Sequence, residues 1–90
     1  MTYRVYLIEN ATNRRYIGLS EDVNVRIAQH NAGQSKWTAK FVPWHLVWTS
    51  RPLDLGAARK LENLLKRQKG GDGLRVLLVQ HGAFVADSGS

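Results

Sequence analysis

Ninety residues with 43% apolar content and no cysteine describe one domain, spanning residues 1–90, whose small core is held without disulfides or thiolate metal sites. Thirteen lysines and arginines against seven acidic residues give a net charge of +6, a field that favours polyanions, nucleic acid ahead of acidic membrane. The opening "MTYRVYLIEN" does not read as a signal peptide, and no segment approaches the roughly 20 apolar residues of a membrane span, so a soluble cytoplasmic protein without membrane contact is the expectation.

"TYRVYLI" alternates and is rich in β-formers, which predicts a strand over residues 2–9. Tyr3, Val5 and Leu7 then share one face, and Arg4, Tyr6 and Ile8 the other. "ENATN" supplies turn residues, and "RRYIG" reads as the second strand of an antiparallel hairpin. Gly18, ending that strand, allows an unusual backbone angle or the close approach of a ligand. Ser20 suits the N-cap of a helix starting at Glu21, with Val23, Ile27 and Ala28 turned to the core and a stop at 31–33. "QSKWTAKF" has no clear period and reads as a loop. Pro43 precedes "WHLVWTS", a strand with Trp44, Leu46 and Trp48 on one face. Asp54 caps a second helix, "LGAARKLENLLKRQK", with Ala57, Leu61, Leu64 and Leu65 as its buried stripe. "GGDG" at 70–73 ends it. "LRVLLVQHGAFV" is ambiguous by period; its β-branched residues and flanking glycines favour a strand over Val76–Gln80, and residues 86–90 read as a frayed tail. The order of elements predicts an α+β domain, a small antiparallel sheet with helices packed on it.

Arg26 and His30 stand at i and i+4 and so share a helix face. An arginine fork can grip a phosphate, and a histidine can move a proton near neutral pH. Taken alone, such a pair is more often a solvated arginine and a boundary histidine. Tyr6 and Tyr16 come from paired strands and can present their hydroxyls on one sheet face. On small sheets tyrosines are usually packing residues, and a tyrosine base needs something to lower its ordinary pKa near 10. Glu62 is the lone carboxylate of the second helix, at the margin of its apolar stripe. Spacing alone favours a helix ion pair with Lys66; the functional alternative is a hard-cation ligand, since one carboxylate with waters and substrate phosphate suits Mg²⁺.

In order along the chain, these residues resemble the GIY-YIG nuclease domain. "RVY" at 4–6 falls at the first half-motif and "YIG" at 16–18 matches the second. "VRIAQHN" at 25–31 matches the following helix, with Arg26 and His30 in place. "SKWT", "PWHLVW" and "ARKLENLLKRQKG" resemble the later loop, strand and helix of small stand-alone members, with Glu62 at the metal-ligand position. The likeness covers about residues 2–70. It implies a three-stranded antiparallel sheet flanked by helices, and hydrolysis of a DNA phosphodiester with one divalent cation, Mg²⁺ or Mn²⁺. By the same resemblance Glu62 holds the metal and Arg26 stabilises phosphate charge. Tyr6 or Tyr16, with Tyr16 favoured, activates the attacking water, and His30 assists proton transfer or holds the tyrosine.

The sequence departs from the family pattern in three places. Arg-Val-Tyr replaces Gly-Ile-Tyr. Leu19 stands where repair-type members carry a lysine. The segment after Gly70 does not match the helix expected from many relatives. With no second domain in these residues, DNA affinity is expected from this domain, a protein partner or a homo-oligomer. Lys36, Lys40, Arg59, Lys60, Lys66, Arg67 and Lys69 are the candidate phosphate contacts, Gly18 a point of close approach, and Trp37 a base-stacking residue. Three functions follow in descending order: an endonuclease, structure-selective in DNA repair or recombination as its finer form; a DNA-binding module with weak or no catalysis; and a protein-interaction module using Trp44 and Trp48.

Overall fold

The computed structural model describes residues 1–68 and 71–85. Strands β1 (Arg4–Glu9) and β2 (Arg15–Ser20) form the expected hairpin, followed by helices α1 (Val23–Asn31) and α2 (Lys36–Ala39). Strand β3 (His45–Ser50), helices α3 (Leu55–Lys66) and α4 (Gly71–His81), and a short strand β4 (Gly82–Phe84) complete the chain. The sheet is antiparallel with order β2-β1-β3-β4, so it has four strands rather than three.

The hairpin turn is built by Asn10, whose side-chain oxygen accepts from the backbone N–H of Thr12 and Arg14, while Asn13 takes the left-handed conformation at φ 64°. Asparagine tolerates that region through local hydrogen bonding. Asn10 also donates to the Phe41 carbonyl at 3.0 Å, tying the turn to the segment after α2.

Alternation in β1 divides the core as the sequence implies. Val5 and Leu7 join Trp48, Ala58, Leu61, Leu65, Leu74 and Leu78 on the face covered by α3 and α4. Tyr6 and Ile8 join Val23 and Trp44 on the face covered by α1 and α2. Strand β3 does not alternate throughout. Its register against β1 shifts between Leu7 and Ile8, which pair with Trp48 and Leu46, leaving Val47 as the extra residue. A bulge of this kind turns successive side chains to the same face. Trp44 and Leu46 therefore lie on one side of the sheet and Trp48, with Val47, on the other, which corrects the single-face expectation for the three.

Three helix boundaries also differ from expectation. Asp22, not Ser20, caps α1 by accepting from Val25 N–H; Ser20 instead bonds Asp22. Ala28 is exposed, and His30 takes the buried place. The segment read as a loop contains α2, with Thr38 as its buried residue. In α3, capped by Asp54 as expected, Ala58 replaces Ala57 in the buried stripe and Leu64 turns outward. The helix ends at Lys66, and Gly71 and Gly73 open α4 rather than closing α3.

The strand expected over Val76–Gln80 is part of α4. Leu74 and Leu78, four apart, are buried while Val76 and Val79 face solvent, so burial follows the helical period and overrides β-propensity. Gly82 then lets β4 approach β3 closely; a Cβ there would collide with the Thr49 carbonyl and the Ser50 backbone. The expected frayed tail at 86–90 lies outside the described residues.

Trp48 ties β3 to α4 within the α3/α4 half of this core. It is fully buried and its indole N–H donates to the Leu78 carbonyl of α4 at 2.7 Å. Trp48→Ala should lower unfolding free energy by about 3–5 kcal/mol in urea titrations, a large share of the roughly 5–15 kcal/mol of an ordinary domain. A loss under about 1 kcal/mol would show that α4 does not depend on this contact.

Candidate active site

On the α1/α2 face, Tyr6 sits opposite Gly18 of β2. Its ring lies across that neighbouring strand, over the space a side chain would occupy. A Cβ on Gly18 would fall 2.5 Å from the Tyr6 hydroxyl and 2.7 Å from its ring carbon. Gly18 thus clears room for a phenol of the same protein.

The Tyr6 hydroxyl ends 2.8 Å from His30 Nε2. His30 is fully buried, and its Nδ1 lies 2.8 Å from the Thr38 hydroxyl. Tyr16 stands half-buried on the same face, its ring 6.4 Å from Tyr6 and edge-on to His30 at 4.9 Å. The expected sharing of a face by the two tyrosines therefore holds. The α1 helix brings Arg26 to the cluster one turn before His30, and Arg26 donates to Gln29 Oε1 at 3.0 Å.

The proton is held on the tyrosine. Burial, then the neighbouring Tyr16, pushes Tyr6 up to about 12; Glu62 adds to the rise, and Arg26 opposes it. His30 is lowered from its ordinary value, first by burial and then by Arg26. At neutral pH the pair is therefore a phenol facing a neutral imidazole.

Glu62 approaches from the opposite helical layer, near enough for its charge to act on Tyr6. It pairs with Lys66 Nζ at 3.2 Å, so the ion pair expected from spacing is present. Arg59, Glu62 and Lys66 fall on one stripe of α3, whereas Lys60 lines a separate apolar groove with Leu53, Leu61, Leu64 and His81. Arg67 is exposed at the α3 C-cap, and Lys69 lies outside the described residues. Among the described residues no group of three or more His, Asp or Glu side chains gathers as a metal cage. A lone carboxylate at a phosphate site still fits a hard cation that draws its other ligands from water and substrate.

Helix α2 places Lys36 and Lys40 around Trp37, which is 46% exposed and continues an aromatic row from Tyr16 at 6.0 Å to Phe41 at 5.1 Å and Trp44 at 6.1 Å. Beside Tyr16 opens a cleft of about 350 Å³ bordered by Arg15, Lys66 and Leu74. Sequence reasoning missed Thr38 and Arg15. Thr38 sits eight residues beyond His30, a spacing with no periodic meaning, and Arg15 is marked only by its charge. Asn31 was read only as a helix stop. Its side chain in fact accepts from Trp44 N–H at 2.7 Å and donates to the Trp44 carbonyl at 3.0 Å.

A family model described as the GIY-YIG catalytic domain matches residues 2–74. Proteins named UPF0213 protein in Staphylococcus aureus strains Mu3, MW2 and COL are 36% identical over 69 residues, covering 72% of this chain and 84% of the relative. No solved structure matches.

The two shifted groups of this cluster give stability a pH profile with a definite sign. Below about pH 6.5 an unfolded histidine takes up a proton that the folded His30 refuses, so stability falls as pH drops. Above about pH 10 an unfolded tyrosine loses a proton that folded Tyr6 keeps until about 12, so stability falls again. Denaturant midpoints near pH 5.5, 8 and 11 should show both limbs, with Tyr6→Phe losing about 1–1.5 kcal/mol of the alkaline dependence by pH 11. An unchanged alkaline limb in that variant would place the ionisation elsewhere.

Proposed function

Because the chain belongs to the GIY-YIG catalytic-domain family, whose members are nucleases, we propose that it is a DNA endonuclease hydrolysing phosphodiester bonds with a divalent cation. The observation that carries this reading is the 2.8 Å contact between Tyr6 Oη and His30 Nε2, within a cluster that also holds Tyr16 and Arg26. Any buried tyrosine hydroxyl needs a hydrogen-bond partner, but packing alone does not call for a titratable one with a second tyrosine and an arginine beside it.

The pairing suits a proton relay. A water attacking phosphorus gives its proton to Tyr6 Oη while Tyr6 passes its own to His30 Nε2. No free tyrosinate forms, so the raised Tyr6 value is no obstacle, and the lowered His30 value keeps the acceptor neutral and empty at working pH. The contact favours Tyr6 as the tyrosine in the proton path, with half-buried Tyr16 orienting the water. Arg26 exchanges Gln29 for the phosphate and stabilises charge as it develops there. Glu62 is the carboxylate that would hold Mg²⁺ or Mn²⁺. Bound there, the cation would act as a Lewis acid on the phosphoryl oxygens.

Lys36, Lys40, Arg59, Lys66 and Arg67 serve as phosphate contacts and Trp37 as a stacking surface, with Lys60 as an outlying cation, and Lys69, outside the described residues, kept as a further candidate contact. A structure-selective role in repair or recombination is the finer form of this proposal, and a preference for branched over linear duplex is its mark. The Glu62–Lys66 ion pair favours a second reading, a DNA-binding module in which the carboxylate is merely neutralised.

Nicking of supercoiled and branched DNA with Mg²⁺ or Mn²⁺ separates the two. Wild type should cleave and chelator should stop it. Glu62→Ala should lose cation binding in the presence of DNA. Arg26→Ala should lose about 10²–10³ in turnover with little change in DNA affinity. Tight DNA binding without cleavage under either cation would support the binding module. Equal losses in Arg26→Ala and Lys60→Ala would remove the special role of Arg26.

A further inference from the structure

Thr38 is fully buried and held at two points. Its carbonyl accepts from the Trp44 indole N–H at 2.8 Å, and Trp44 is in turn fixed to α1 through Asn31. Its hydroxyl lies between His30 Nδ1 at 2.8 Å and the Ser35 carbonyl at 3.4 Å.

The hydroxyl has one proton, and a carbonyl can only accept. When Thr38 donates to Ser35, it can only accept from His30, so Nδ1 must carry the ring hydrogen. Nε2 is then left with its lone pair facing the Tyr6 hydroxyl. Were the hydrogen on Nε2 instead, His30 would donate toward Tyr6 and would have no place for another proton on that side. The second nitrogen's partner thus decides what the first can do.

We propose that Thr38 is a positioning residue that fixes His30 in the tautomer bearing hydrogen on Nδ1, leaving Nε2 open to receive the Tyr6 proton. The consequence for turnover rests on the nuclease reading; the tautomer does not. A hydroxyl in this role differs from the carboxylate that orients histidine in many hydrolases. A carboxylate would favour the imidazolium before reaction, whereas a neutral hydroxyl sets the hydrogen's position and leaves the ring uncharged.

Long-range ¹H–¹⁵N spectra of ¹⁵N-histidine protein read the tautomer directly. The chain has three histidines, and His30→Gln assigns the signal. Above the histidine titration range, wild type should show a protonated Nδ1 and an unprotonated Nε2. Thr38→Ser should keep that pattern, and Thr38→Val should lose it. In nicking assays Thr38→Val should lower kcat by about 10-fold or more at unchanged DNA affinity, with Thr38→Ser near wild type.

A wild-type spectrum with hydrogen on Nε2 overturns the proposal, whether or not the variants fold. So does a folded Thr38→Val with the wild-type tautomer. The expected spectra in a protein that cleaves no DNA under either cation would sink the nuclease reading and leave the role of Thr38 in setting the tautomer intact.

Discussion

The structure turns on a phenol laid across a glycine. Tyr6 belongs to the central hairpin strand, yet its hydroxyl must reach a histidine on α1, and the direct route passes over β2. A side chain at position 18 would occupy that route. Once the ring lies there, the hydroxyl is buried and needs a partner, since an unpaired buried polar group is costly. His30 meets that need and is itself completed by Thr38. Among the described residues no buried side-chain nitrogen or oxygen is without a hydrogen bond.

That chain of bonds explains why the segment after α1 is ordered as it is. Four residues of α2 make a helix too short to be stable alone. Tertiary bonds hold it: Thr38 to His30, the Trp44 indole to Thr38, the Asn31 side chain to the Trp44 backbone, and Asn10 to Phe41. Trp37, Lys36 and Lys40 are thereby presented beside Tyr16 on a braced element. Because the same threonine anchors the helix and touches the histidine, the surface carrying Lys36, Trp37 and Lys40 and the ring of His30 are mechanically linked.

Opposite layers divide the work. The α1/α2 face gathers Tyr6, Tyr16, His30 and Arg26, while the α3/α4 face holds most of the apolar burial through Leu61, Leu65, Leu74 and Leu78 with Trp48 of β3. Glu62 crosses that division, its charge felt at Tyr6 from the other layer. The bulge in β3 serves the same separation. By shifting phase it sends Trp48 into the α3/α4 core and Trp44 to the clamp on α2.

Much of this was legible in the residues. The period of two in β1 assigned Tyr6 to one face and Val5 to the other, because a strand's side chains alternate by geometry. Asp54 announced α3, and the spacing of Arg26 and His30 placed them together on α1. The net charge and the ordered tyrosines, arginine, histidine and glutamate pointed to nucleic-acid chemistry, and the family match agrees. What the chain could not disclose depended on contacts distant in sequence. The bulge exists only against β1. Leu74 and Leu78 make a helix rather than a strand because α4 has a sheet and α3 to pack against. Thr38 matters only because folding carries it to His30, and Gly18 is required by the ring of Tyr6, twelve residues earlier. Local periodicity encodes which face a side chain takes; only the assembled layers decide what it meets there.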